Sequence, residues 1–136
     1  MDNTSLNAGV YTTNLSRFIF SQRHYSIQKL RPKPGAFLPP PDLQTSAFGV
    51  DGLDEEGIWW IADNVVAKQS QKEPPGARAD IPSAAVLEAQ LTVVPDPADH
   101  PRHVNICGWP AEKEKQLATA QDLCAAATLR LRPESE

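Results

Sequence analysis

The sequence predicts an α+β domain built on a small antiparallel or mixed sheet of four to five strands, with two to three helices packed on one face. Three observations predict it. Runs rich in strand-forming residues alternate with a period of two, as in Leu15–Phe20 and His103–Cys107. Apolar residues recur every three or four positions after Asp54 and after Pro110. Strands and helices interleave too irregularly for a doubly wound parallel sheet. The 136 residues suffice for one core and not for two. A single domain over 15–131 is therefore expected, with a flexible lead-in over 1–14 and a frayed tail over 132–136.

The elements follow in chain order. In Leu15-Ser16-Arg17-Phe18-Ile19-Phe20, a pleat puts Arg17 and Ile19 on one side and Phe18 and Phe20 on the other. Ser21 to Pro34 reads as a basic loop with a helical turn. Ala36-Phe37-Leu38 precedes the triple proline 39–41, which favours polyproline II and an edge position. Residues 43–50 alternate weakly between turn signals and read as a strand.

Asp54 is placed to cap a helix whose first turn carries Glu55 and Glu56 and whose stripe is Ile58, Ile61, Ala62 and Val65. Residues 68–79 offer little apolar anchorage and are expected to form a mobile, exposed loop. A short helix is expected from Ile81-Pro82-Ser83 to Glu88, then a strand over Leu91–Val94. After the turn 95–101, Val104 and Ile106 share one face of the next strand. Gly108 ends that strand, Pro110 suits a first helical position, and Leu117, Ala120, Cys124, Ala127 and Leu131 describe a long helix.

Proline is abundant, 13 residues against a usual share of about 5%, so many connections are stiff. No window is apolar for the roughly 18 residues that a membrane helix needs, and the N-terminus lacks the pattern of a secretory leader. Two cysteines without CxxC spacing indicate free thiols in a reducing, cytoplasmic compartment.

Charge is distributed unevenly. No acidic residue stands between Asp2 and Asp42, a stretch with five basic residues, whereas residues 42–136 carry a net charge of −8. Either a basic surface meets an anion, or the two parts of one domain neutralise each other.

Four groups of residues carry candidate chemistry. His103, Asn105 and Cys107 project to one side of a strand and are residue types used in thiol catalysis, but i, i+2 neighbours about 6–7 Å apart splay too widely for a Cys–His pair. Asp96, Asp99, His100 and His103 are metal-ligand types in a proline-broken loop that is better read as a solvated turn, and no metal or cofactor is expected. Arg17, Arg23, His24, Lys29, Arg31 and Lys33, interleaved with aromatic residues, suit an anionic ligand, with Arg102 as a further contributor. The net charge of −4 argues against broad, nonspecific DNA binding. Finally, Trp59 and Trp60 lie about 100° apart on a helix, so one of them is left near the surface. With Trp109 they form a candidate partner contact.

These features point to a binding module that engages an anionic ligand or a protein partner through its basic N-terminal third. The alternative is a small enzyme of phosphate or ribose chemistry in which Arg17 and Arg102 hold phosphate while His103 or His24 acts as acid or base. That enzyme requires Arg17, His24, Arg102 and His103 to converge on one pocket.

Overall fold

The computed structural model describes residues 13–70, 72–98 and 100–133. Its centre is a six-stranded, wholly antiparallel sheet flanked by three helices. The α+β class matches the expectation, while the sheet is larger. The strands are β1 (Asn14–Ile19), β4 (Thr45–Gly49), β5 (Ala77–Pro82), β6 (Thr92–Pro95), β7 (His103–Cys107) and β8 (Thr128–Leu131), and β2 (Tyr25–Ser26) with β3 (Arg31–Pro32) forms a separate two-stranded ribbon. The order across the large sheet is β6-β7-β4-β1-β5-β8.

Helix α1 begins with Glu55–Ile61, passes through a π-helical turn at Ala62–Val66 and ends in Ala67–Ser70. Asp54 caps it as expected, its carboxylate accepting from Gly57 N at 2.8 Å. Helix α2 is Ser83–Glu88 and α3 is Lys113–Ala126.

Two apolar clusters occupy opposite faces of the sheet. Alternation in β1 sends Leu15 and Ile19 into the larger cluster and Phe18 into the smaller. The larger cluster gathers Ile81, Val104 and Ile106 from the strands under Val86 of α2 and Ala120 and Leu123 of α3. On the other face, Phe18 and Phe48 lie under Ile58, Trp59, Ile61 and Ala62 of α1. The helices are thus divided between the faces and do not share one, because Phe18 and Phe48 make a second apolar surface that must be covered.

Several local expectations are corrected. Phe37 is fully buried and Ala36 nearly so, in the main core rather than at an edge. The expected loop at 68–79 is shorter: α1 runs to Ser70, and Ala77–Ala79 already belong to β5. These residues are buried because β5 lies between β1 and β8. The last helix starts at Lys113 and stops at Ala126, and Thr128–Leu131 is a strand. Leu117 is exposed, and Leu123 faces the core instead. Arg132 is tied down, donating to the Pro75 carbonyl and the Asp63 carboxylate. Residues 1–12 of the expected lead-in and 134–136 of the expected tail lie outside the described residues. Among the described residues, no helix is long and apolar enough to cross a membrane.

Candidate functional site

The basic segment folds into the β2–β3 ribbon. Ser21 caps a 3-10 turn, Gln22–His24, with its hydroxyl accepting from Arg23 N. Tyr25 then pairs with Pro32, and both are buried. That pair anchors the ribbon and turns Ser26 and Arg31 outward. The His24 ring lies so close to Gly35 that a Cβ there would sit 2.6 Å from it, so a larger residue would have to push the ring aside. The connecting loop leaves Ile27 and Leu30 at 56% and 58% exposure, and the Ser26 hydroxyl caps it by accepting from Lys29 N.

Arg23, Lys29, Arg31 and Lys33 are all exposed around this tip. None of them forms an ion pair among the described residues. Arg17 does not join them. Beyond Ser16, β1 no longer pairs with β4, and the Arg17 side chain fills the split by donating to the backbone carbonyls of Ala36 and Ser46, both at 2.9 Å. Burial pushes its pKa down.

Arg102 is likewise occupied, donating to the carbonyls of Gly49 and Asp51. Arg17 and His24 line one hollow of about 160 Å³ with Lys72. Arg102 lines another with Trp60 and His100, while His103 turns toward Ser46. Of the four residues needed for phosphate chemistry, the structure therefore brings together Arg17 and His24 and places the other two elsewhere.

Around His103 a row of polar side chains crosses the face of the sheet that carries α1. Ser46 stands opposite Asn105 and Phe48 opposite His103, so Ser46 and His103 are diagonal neighbours on that face. Ser46 Oγ lies 2.6 Å from His103 Nε2, and His103 Nδ1 lies 3.0 Å from the backbone carbonyl of Asp96 and 3.4 Å from its carboxylate. A carbonyl only accepts, so Nδ1 carries the proton and Nε2 of the neutral ring accepts from the Ser46 hydroxyl. Asn105 Nδ2 donates to the Asp96 carboxylate at 3.1 Å and steadies it.

Cys107, two residues along, has no part in this row. Its thiol contacts the Asn105 carbonyl, and burial followed by the charge of Asp42 raises its pKa. Among the described residues, no group of three or more His, Cys, Asp or Glu side chains is arranged to hold a metal ion, and Asp99 lies outside those residues.

The tryptophans divide as helix geometry requires. Trp59 is buried between the guanidinium groups of Arg78 and Arg132, at 5.1 and 4.7 Å from its ring centre. Trp60 is 56% exposed, and Trp109 is buried with its indole N–H donating to the Ile106 carbonyl.

Sequence reasoning missed Ser46 and Arg78. Ser46 is 57 residues from His103 in sequence and carries no local motif, and Arg78 falls in a stretch that resembles a loop. No protein-family model, curated protein or solved structure matches this chain.

Proposed function

We propose that this protein is a binding module whose β2–β3 hairpin docks against an acidic face of a protein partner. The observation that carries this reading is the tip itself: four exposed cations, with no ion-pair partner among the described residues, surround two exposed aliphatic side chains. Rim charges of one sign steer association and select a partner of the opposite sign. Ile27 and Leu30 supply apolar area that becomes favourable only when covered, at about 25 cal/mol per Å². Aliphatic side chains offer no ring for a base to stack on, which favours a protein surface over a nucleic acid.

The test places a photo-crosslinking amino acid at Gln28 in the full chain and compares it with the same chain carrying Arg23→Glu, Arg31→Glu and Lys33→Glu. A discrete adduct with an acidic protein is expected from the first chain. It is expected to resist nuclease, to weaken in high salt and to be lost with the reversed charges. Identical adducts from both chains would overturn the reading, and an adduct sensitive to nuclease would move it to nucleic acid.

A further inference from the structure

The Ser46–His103–Asp96 row lies outside the docking reading, and its geometry points to a second activity. We propose that Ser46 is the nucleophile of an acyl-transfer site that hydrolyses small esters carrying an apolar acyl group. Three relationships carry the inference. In the neutral ring one tautomer fits, because Nδ1–H donates to the Asp96 carbonyl and leaves the Nε2 lone pair facing the Ser46 hydroxyl at 2.6 Å. A carboxylate stands 3.4 Å behind the ring, where it stabilises the imidazolium that forms when His103 accepts a proton. Ser46 also opens on a cavity of about 240 Å³, whose walls include Phe18, Phe20 and Phe48 together with Arg17 and Lys72.

That cavity sets the substrate class. The three aromatic rings and Val66 offer one apolar wall to a short acyl chain, beside the polar Gln69 and Ser70. Lys72 and the Arg17 guanidinium, whose Nε and Nη1 are held by the Ala36 and Ser46 carbonyls, add positive charge to the cavity wall, which favours the negative charge an acyl oxygen develops.

The reaction balances with water as the second substrate. Ser46 Oγ bonds to the acyl carbon while its proton passes to His103 Nε2. The carbon–oxygen bond to the alcohol breaks, and the leaving alkoxide takes that proton. Water then adds to the acyl-serine, again losing a proton to His103, and the proton returns to Ser46 Oγ as the carboxylic acid departs. Ser46 and His103 are the catalytic residues, and Asp96 is a positioning residue that acts through the imidazole.

The full chain is incubated with a fluorophosphonate probe and, separately, with p-nitrophenyl acetate and p-nitrophenyl butyrate. Expected are one phosphonyl adduct per chain, mapped to the peptide containing Ser46 and absent from urea-unfolded protein, and saturable release of p-nitrophenol. Ser46→Ala should lose both. His103→Gln should lower kcat by roughly 10³-fold or more, and Asp96→Asn should lower kcat while leaving KM near its original value. Circular dichroism confirms that each variant is folded. Labelling that maps to another residue, native protein that is never labelled, or ester hydrolysis that survives Ser46→Ala overturns the proposal. The mapping uses the unmodified chain, so a variant that fails to fold does not shield the proposal. The charge-reversed hairpin is expected to keep this activity, which separates the two readings.

Discussion

The Arg78 guanidinium meets the Glu55 carboxylate at two points, Nη1 to Oε1 at 2.9 Å and Nη2 to Oε2 at 2.7 Å. Arg78, the second residue of β5, is 1% exposed, and it also donates from Nε to Asp80 at 2.9 Å. Asp80 in turn accepts from the Ser16 hydroxyl at 2.6 Å. One buried fork thus joins the first turn of α1 to two neighbouring strands.

Arg78→Met should destabilise the fold by roughly 1–2 kcal/mol, because the part-buried Asp80 loses a donor and Trp59 its cation, while the largely exposed Glu55 returns to water. Arg78→Lys should lose a substantial part of this as well, since a point charge cannot hold Glu55 at two positions. Urea denaturation of the two variants against the parent measures both. An Arg78→Lys variant of parental stability would show that charge alone matters here.

Acid should act through two carboxylates. The hydrogen bond from Arg78 leads in holding the Glu55 pKa below its ordinary value. At Asp51, desolvation opposes ionisation but is outweighed by the Thr13 hydroxyl and the backbone N–H groups of Thr13 and Asn14, so this pKa is lowered too. Folded values below the unfolded ones mean that the folded chain binds fewer protons. The stabilisation is complete above the unfolded carboxylate range and is lost as pH falls through the folded values. The urea midpoint should hold steady from about pH 7 to 5 and decline below roughly pH 4. Glu55→Gln should flatten the decline.

Gln90 ends α2 with φ = +67°, a left-handed conformation that side chains adopt at a cost. Its N–H donates to the Leu87 carbonyl and that of Leu91 to the Val86 carbonyl, so the turn is fixed by backbone bonds alone. Gln90→Gly should therefore raise stability by about 0.5–1 kcal/mol, read as an increase in Tm of a few degrees.

Both thiols should be slow. Burial raises the pKa of Cys124 to about 11 and also raises that of Cys107, which leaves little thiolate at pH 8. Ellman's reagent should react with the native chain far more slowly than with the urea-unfolded chain. Rapid native labelling of either cysteine would contradict the packing described.

Much of the fold was legible in local pattern. Val104 and Ile106 enter the core as their alternation requires, and Asp54 caps α1 as its position suggests. The missed elements share a physical cause. In β5 the core-facing residues at 77 and 79 are alanines, too small to register as an apolar stripe. In β8, Leu131 continues the helical spacing of Ala120, Cys124 and Ala127, so the change from helix to strand leaves no trace in periodicity. The Ser46–His103 contact depends on the register between β4 and β7, which pairs residues distant in sequence. His103 was recognisable as reactive, but its partner across the sheet was not. The cations of the hairpin were legible as composition, whereas the lack of ion-pair partners among the described residues follows from the fold.

The place of β1 at the middle of the sheet bears on how the chain is made. Leu15 lies between Gly49 and Ile81, so this strand has neighbours that emerge from the ribosome later than it does. The outer partner of β5 comes later still, because Thr128 pairs with Asp80 and Leu131 with Ala77. A nascent chain carries Leu15, Phe18 and Ile19 unpaired on the β5 side until residues 77–81 have been made. Such non-local pairing slows folding toward the millisecond-to-second range and makes those three side chains natural handholds for a chaperone.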